Sequence, residues 1–278
     1  KKINFVPDIF QKSLFQKYQT LKTYDFIFYF SDGSIPFLFG KNNVLHFQIP
    51  FHGVDGRQLL NKIKFKKIKS IVCNSGFTKK IIDQEYGVAG SVIYPPIAVE
   101  EFKPAKKENF ILYVGRFTDL IHSKRQDVLV EVFKRLYKRE KSLKDWRLVL
   151  AGGAKEGQKL VTRLENKSKD FPIEIKTDVQ FNKLKQFYGQ AKIFWSAAGF
   201  GFDEIREPEK VEHFGMTTVE AMAAGAVPVV IAKGGQKEIV VENKNGFLWK
   251  SKNALAEKTI KLIDNQKLWH KLSRSAQK

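Results

Sequence analysis

Residues 212–225, EHFGMTTVEAMAAG, hold the pattern that decides the fold of this chain. Glu212 and a glycine precede an apolar, alanine-rich run with helical spacing, and Glu220 lies about one turn inside that run. The free backbone N–H groups of a helix N-terminus favour an anion such as a phosphate, and Gly215 lets a ligand approach the backbone closely. A carboxylate at Glu220 can accept two ribose hydroxyl protons. A phosphate held between two such acids predicts a nucleotide sugar as the ligand.

The composition is that of a folded protein that attracts anions. The 278 residues are 43% hydrophobic and 28% charged, which suits one or two globular domains and argues against disorder. An excess of 49 Lys and Arg over 29 Asp and Glu gives a net charge of +20, which favours phosphorylated ligands, nucleic acid or an acidic membrane face. The sequence has no helix-turn-helix, zinc-finger or RNA-binding signature, so we expect no nucleic-acid partner.

Cysteine and histidine usage argues against disulfides and metal sites. The one cysteine, Cys73, lies in the apolar run IVCN and predicts a buried, inert thiol. His122, His213 and His270 have no partners at metal-ligand spacing, so we expect no metal.

Targeting signals are equally scarce. No run approaches the roughly 20 apolar residues of a membrane span, and no signal peptide is visible. We therefore expect a cytoplasmic protein. The basic run KIKFKKIK at 62–69 favours a peripheral contact with the anionic inner face of the membrane, with a solvated helix face as the equal alternative.

Strand-like and helix-like patterns alternate along the chain. In the first half, apolar runs at 24–30, 44–47 and 70–74 predict strands, and YDFIFYF at 24–30 predicts a strand covered on both faces. The second half alternates strictly, from a strand at 110–114 to a last strand at 247–249 and two closing helices. This order predicts an α/β fold with a doubly wound parallel sheet.

A polar stretch at 98–109 predicts an interdomain linker, which divides the chain into domains 1–103 and 104–278. In the second domain, Arg116 and Lys124 follow the first strand, and the 212–225 stretch follows a later one. Loops after parallel strands open on one edge of the sheet, so we expect these features to converge. Two cations and a helix N-terminus would stabilise a departing diphosphate, whose departure builds negative charge.

The 212–225 stretch resembles the signature of retaining glycosyltransferases with the GT-B fold, in glycosyltransferase family 4 (glycosyl transferases group 1). The family includes mannosyl-, glucosyl- and N-acetylglucosaminyltransferases. Its mark is two glutamates separated by seven residues, with Phe-Gly between them and Glu-Ala-x-Ala-x-Gly after, and this chain matches it completely. Arg116 and Lys124 resemble the family's diphosphate-binding cations, and Gly234-Gly235 resembles the element after the signature. The resemblance covers most of the chain.

The resemblance implies a reaction and a role for each residue. It implies retaining transfer of a sugar from a UDP-, GDP- or ADP-linked donor to a glycan or lipid-linked acceptor, as in polysaccharide biosynthesis, without metal or cofactor. Glu212 would contact the sugar near the reacting centre, Glu220 would bind the ribose, and the two cations would stabilise the leaving diphosphate. Backbone N–H groups would face the sugar and phosphates at Phe214, Gly215, Met216 and Thr217.

His46 is the second catalytic candidate. It lies near the end of the strand VLHF at 44–47, and a histidine near such a strand end lies close to the transferred sugar in the family. A core or surface histidine without a catalytic role is the alternative, and His52 is a rival for the same role.

The first half departs from the family pattern, because it lacks the opening strand and Gly-rich turn of the family's N-terminal domain. We therefore expect an incomplete Rossmann-like N-terminal domain beside an intact donor domain. A fragment, a split enzyme with a partner chain and a reduced variant remain alternatives, as does a non-catalytic nucleotide-sugar-binding or partner-dependent fragment. The long loop at 197–208 suggests either a gate beside the sugar or an ordinary solvated loop. The base, the sugar, the acceptor and the oligomeric state stay open.

Overall fold

The computed structural model describes residues 3–118 and 124–278, and the chain forms two compact units, Lys1–Tyr94 and Pro95–Lys278. The division falls before Pro95, ahead of the predicted boundary at residue 103. The segment expected to be a linker packs on the second unit instead. Phe102 is 4% exposed and its ring centroid lies 5.2 Å from that of Tyr188. Ala105 N donates a hydrogen bond to Gly189 O at 3.0 Å.

The first unit, over its described residues, is a four-stranded parallel sheet in the order β1-β2-β3-β4. Its elements are α1 Leu14–Leu21, β1 Phe26–Phe30, β2 Asn42–Phe47, α2 Leu59–Phe65, β3 Ser70–Cys73, α3 Gly76–Tyr86 and β4 Ser91–Val92. Ser75 caps the N-terminus of α3, because its Oγ accepts a hydrogen bond from Thr78 N at 3.0 Å. Burial raises the pKa of Cys73 to about 12, which agrees with an inert thiol.

β1 is an edge strand, and the prediction that both its faces are covered is wrong. Among the described residues it pairs with β2 alone. Phe26, Phe28 and Phe30 are 57%, 44% and 60% exposed. With α1 and the turn Pro7–Gln11, this strand lines an open groove of about 640 Å³. The apolar composition of this segment favours a strand, but burial of both faces would also require other elements packed against each face of the sheet.

The second unit is a parallel sheet in the order β10-β9-β8-β5-β6-β7 across the described residues. Its elements are β5 Glu108–Val114, α4 Gln126–Arg139, β6 Arg147–Gly152, α5 Gln158–Ser168, β7 Ile173–Thr177, α6 Phe181–Gln190, β8 Ala191–Ser196, α7 Met216–Ala223, β9 Val227–Ile231, α8 Gln236–Ile239, β10 Phe247–Trp249, α9 Lys252–Asp264 and α10 Gln266–Ala276. The chain moves from β5 to one side of the sheet and then returns to β8 on its other side. The strand order therefore reverses between β5 and β8, as the doubly wound prediction requires.

Helices cover both faces of this sheet, so alternate residues of β5 enter different cores. Ile111 and Tyr113 join the core that includes α4, α5, α9 and α10. Phe110, Leu112 and Val114 join the core that includes α6 and α7. All four tryptophans of the chain belong to this unit, and Trp195 and Trp249 are fully buried. Tryptophan fluorescence therefore reports on the second unit alone.

Candidate functional site

Two predicted site residues meet at the edge where β5 and β8 end. Lys124 Nζ lies 2.8 Å from Glu212 Oε2, although the two residues are 88 positions apart in the chain. The two side chains are 20% and 19% exposed. Lys124 precedes α4 and Glu212 precedes α7, so the ion pair joins the loops on either side of the strand-order reversal. Open α/β sheets bind ligands at this position.

The N-terminus of α7 is open, as the 212–225 pattern predicts. The helix begins directly after Gly215, whose φ of 115° lies in the left-handed region that favours glycine. The first bond within the helix runs from Thr218 N to Gly215 O at 3.0 Å, and no described side chain caps the terminus. The N–H groups of Met216 and Thr217 precede that bond. They form a donor pair suited to an anion.

Glu220, inside α7, is held by a tyrosine that the sequence did not reveal. The Tyr188 hydroxyl donates to Glu220 Oε2 at 2.5 Å. Burial raises the pKa of Glu220, and this hydrogen bond opposes the shift. The other carboxylate oxygen, Oε1, has no hydrogen bond to a described residue, so it can accept a ligand hydroxyl. Tyr188 itself is fully buried, and burial raises its pKa well above 10, with Glu220 adding to the shift.

A second buried tyrosine lies near Glu212. Tyr113, near the end of β5, is 2% exposed, and its hydroxyl has no hydrogen-bond partner among the described residues. Burial raises the pKa of Tyr113, and the negative charge of Glu212 raises it further. A Cβ at Gly115 would lie 2.2 Å from this hydroxyl. Glycine is therefore the residue that fits beside it.

The backbone of Glu212 rests against a glycine pair that follows β9. Gly235 N donates to Glu212 O at 2.9 Å. A Cβ at Gly234 would lie 2.1 Å from the same carbonyl oxygen, so a larger residue would displace it. Next to this pair, Gln236 Oε1 accepts a hydrogen bond from Thr218 Oγ1 at 2.9 Å inside the core. The turn after β9 thus fixes both the acid and the start of α7.

Arg116 combines a fixed backbone with an available side chain. The buried Gln126 donates from Nε2 to Arg116 O at 2.9 Å. Within the residues that the structure describes, the exposed guanidinium makes no hydrogen bond or ion pair. Its fork of donors can therefore bind an oxyanion without breaking an existing contact.

The loop at 197–208 is fastened to the turn that holds Glu212. Lys233 Nζ donates to the carbonyls of Gly199, at 3.3 Å, and Phe202. Glu204 accepts from Gly234 N and from Lys237 Nζ, both at 2.8 Å. These hydrogen bonds and the ion pair attach the loop to the turn after β9, so they favour a fixed loop over a gate that opens and closes.

His46 lies in the first unit, near the end of β2. Its ring packs on Phe28 and Phe30, with centroids 5.4 and 5.3 Å away. It is 9% exposed, burial lowers its pKa, and its Nδ1 has no hydrogen-bond partner among the described residues. The rival His52 pairs with Glu85 at 2.7 Å. The catalytic role of His46 stays a prediction.

Metal-binding clusters are absent from the described ranges, 3–118 and 124–278. No group of three or more His, Cys, Asp or Glu there could hold a metal ion. His122 lies outside the described residues.

Comparison with known sequences gives one family and several partial relatives. The family model of glycosyl transferases group 1 matches residues 96–278. The chain is 28% identical, over 232 residues, to an uncharacterized glycosyltransferase of Methanocaldococcus jannaschii, covering 79% of this chain and 59% of that protein. It is 27% identical, over 199 residues, to the GDP-Man:Man(3)GlcNAc(2)-PP-Dol alpha-1,2-mannosyltransferase of Dictyostelium discoideum, covering 65% of this chain and 37% of that protein. The chain thus spans 59% or less of the length of these two relatives.

Solved structures match over nearly the whole chain. A glycosyltransferase from Rickettsia africae gives a TM-score of 0.74 at 18% identity, covering 100% of this chain and 78% of the other. Anabaena HepE, solved with UDP and glucose, gives a TM-score of 0.72 at 17% identity, covering 99% of this chain and 78% of the HepE chain. The predicted GT-B type of α/β fold is therefore confirmed.

Proposed function

This chain belongs to the glycosyl transferases group 1 family, and we propose that it transfers a sugar from a nucleoside-diphosphate sugar to a glycan or lipid-linked acceptor. The observation that carries the proposal is the Lys124–Glu212 ion pair at the strand-order reversal, beside the open N-terminus of α7. This arrangement offers positive charge for a diphosphate and carboxylates for hydroxyl groups in one place.

The diphosphate would lie against the start of α7, at the N–H groups of Met216 and Thr217. Arg116 would grip its oxygens with two parallel N–H bonds, and Lys124 would add a point charge. Lys124 neutralises Glu212 in this structure. An arriving diphosphate gives this ammonium a second anionic partner, so Lys124 would bridge leaving group and acid. With these cations present we propose a reaction that needs neither metal nor cofactor.

The two acids would divide the donor between them. Glu220 Oε1 would accept the ribose hydroxyls while Tyr188 holds the other carboxylate oxygen. Glu212 would bind the sugar hydroxyls beside the carbon whose bond to the diphosphate breaks. We propose that the acceptor oxygen forms its bond to that carbon on the face the diphosphate leaves, which retains the anomeric configuration. His46 remains the second predicted catalytic residue.

The comparisons narrow the donors to be tested first. Several relatives carry GDP-mannose in their names, whereas solved neighbours were crystallised with UDP or UDP-glucose. A thermal-shift panel of UDP-, GDP- and ADP-sugars should show one nucleotide class that raises the melting temperature, because a ligand of the native state stabilises it. Glu220→Gln should reduce that shift, whereas the exposed Glu257→Gln of α9 should retain it in full. Equal behaviour of the two variants, or no shift with any donor, would refute the proposed site.

Turnover separates the enzyme from the non-catalytic alternative. We expect slow donor hydrolysis, and transfer when glycan or lipid-linked acceptors are supplied. Glu212→Gln should keep nucleotide binding and lose turnover, since it changes the sugar end of the site. Binding without hydrolysis or transfer would favour a nucleotide-sugar-binding or partner-dependent fragment.

We also propose a peripheral contact of the first unit with the anionic inner face of the membrane. No described helix is both long and apolar enough to cross a membrane. α2 has no buried residue, and its Leu59 and Leu60 are 75% and 52% exposed beside Lys62 and Lys64. Such a helix suits an anionic lipid surface. Vesicles with anionic lipid should sediment the protein, neutral vesicles should not, and Leu59→Ser should weaken sedimentation. A cytoplasmic location and a partner chain remain predictions.

A further inference from the structure

A second cavity lies at the opposite edge of the second unit's sheet, where β5 and β8 begin. Its volume is about 610 Å³. Trp146, Trp269 and Leu262 supply apolar walls, and Lys192 and Arg274 supply cations. None of the described residues that line it is an aspartate or glutamate. Size, apolar walls and a few polar groups are the usual properties of a small-molecule site.

Lys192 is the cation with unused capacity. Its Nζ donates to Asn109 Oδ1 at 2.6 Å and lies 5.6 Å from the ring centroid of Trp146. An ammonium carries three donors, and no carboxylate of a described residue pairs with this one. Burial lowers the pKa of Lys192, as expected for a charge without a counter-ion. An anion in the cavity would supply that counter-ion.

Lys107, also in the wall, already has a structural role. Its Nζ donates to Ala191 O at 2.9 Å and to Ala224 O at 2.6 Å. These carbonyls belong to the C-caps of α6 and α7, where a cation offsets the helix dipoles. Burial lowers the pKa of Lys107 to about 8. Lys107 therefore adds positive potential, while its hydrogen bonds remain committed to the helices.

We propose that this cavity binds a small organophosphate whose phosphate contacts Lys192 and Arg274 and whose apolar or aromatic body packs on Trp269 and Leu262. The site is independent of the proposed donor site, since it lies at the other ends of the strands. It touches α7 from the opposite end, because Lys107 joins the cavity wall to the C-cap of that helix.

Calorimetric titration of the whole chain with phenyl phosphate tests the site. Lys192→Met removes the charge but keeps the apolar stem, and it should weaken binding about tenfold, as loss of a charged hydrogen bond predicts. Lys267→Met, a matched exposed lysine of α10 outside the cavity, should leave the affinity within about twofold. Arg116→Met, at the donor site, should also leave it unchanged. Far-UV circular dichroism and tryptophan emission confirm that each variant is folded.

Two further ligands and one further variant separate the contributions. Inorganic phosphate should bind more weakly than phenyl phosphate, and benzyl alcohol should not bind measurably. If Lys192→Met does not fold, Arg274→Met, on the surface of α10, should still weaken binding severalfold. The proposal is overturned if phenyl phosphate fails to bind at millimolar concentration, if Lys267→Met weakens binding as much as Lys192→Met, or if Arg116→Met abolishes it.

Discussion

Two nearly identical stretches of this chain lie in opposite environments. β5 contains FILY at 110–113 and β1 contains FIFY at 26–29. β5 lies between β8 and β6 and is buried on both faces, whereas β1 pairs with β2 alone among the described residues and exposes its phenylalanines. An apolar run therefore predicts a strand, but the position of that strand in its sheet decides its burial.

The largest test of this contrast replaces the same residue type in each strand. Phe110 is fully buried and Phe28 is 44% exposed. Phe110→Ala should cost about 3–5 kcal/mol of unfolding free energy, measured by tryptophan fluorescence in denaturant. Phe28→Ala should cost about 1 kcal/mol or less because much of its ring stays in water, measured by hydrogen exchange of β1 and β2. Equal costs would mean that another molecule or segment covers β1 in solution.

The second test asks whether the site of the second unit lowers the stability of that unit. Burial raises the pKa of Glu220, so the folded state resists an ionisation that the unfolded state undergoes freely above pH 4.5. The carboxylate thus destabilises the second unit at neutral pH, and Glu220→Gln should raise its melting temperature at pH 7 and less so near pH 4.5. The same change should weaken nucleotide binding about tenfold or more. A lower melting temperature at pH 7 would contradict this reading.

A smaller effect is expected from the tyrosine that holds Glu220. Tyr188→Phe removes one hydroxyl from the buried core and should raise the donor KM about three- to tenfold with little change in kcat. Because the hydroxyl holds the carboxylate that we propose binds the ribose, the preference for ribose over 2′-deoxyribose donors should narrow. Tyr137→Phe on α4, away from the site, is the matched control. An unchanged ribose preference with a reduced melting temperature would assign Tyr188 to packing alone.

The smallest test compares the acid response of the first unit. Burial lowers the pKa of His46, so just below pH 6.5 the imidazole binds a proton more readily in the unfolded chain than in the folded unit. Stability that His46 contributes should therefore be lost as the pH falls below 6.5. His46→Phe should reduce the loss of stability between pH 7 and pH 5, and the exposed His270→Gln should not. Hydrogen exchange of β2 measures this stability. Identical acid curves for wild type and His46→Phe would rule out this contribution.

Local patterns predicted much of the second unit. The last strand, at 247–249, has the predicted boundaries, and α7 begins directly after Gly215. Each of these features depends on neighbours in sequence: a short apolar run between turn residues, or a glycine before a helical pattern. The meeting of Lys124 with Glu212 also followed from sequence, because loops after parallel strands share one edge.

The remaining features depend on contacts between distant residues. Tyr188 appears in the sequence as one more aromatic on a helix, and nothing local reveals that its hydroxyl reaches Glu220. The apolar run of β5 likewise gives no sign that the Tyr113 hydroxyl has no hydrogen-bond partner among the residues that the structure describes. The segment at 98–109 is polar, yet Phe102 anchors it on the second unit. A single aromatic in a polar stretch was the one signal that could have corrected the linker prediction.

The close approach of Gly234 to the carbonyl of Glu212 limits which amino-acid substitutions this site can tolerate. Neither Gly234 nor Gly235 has a side chain to offer a substrate. A Cβ at Gly234 would lie 2.1 Å from Glu212 O and a Cβ at Gly235 would lie 2.4 Å from His213 O, so either would displace the backbone that positions the acid. In a saturation-mutagenesis library selected for function, both positions should be depleted of every alternative as severely as Glu212 itself. Substitution is therefore constrained at Gly234 and Gly235 together with Glu212, although the three positions are not contiguous and the glycines have no chemical role of their own.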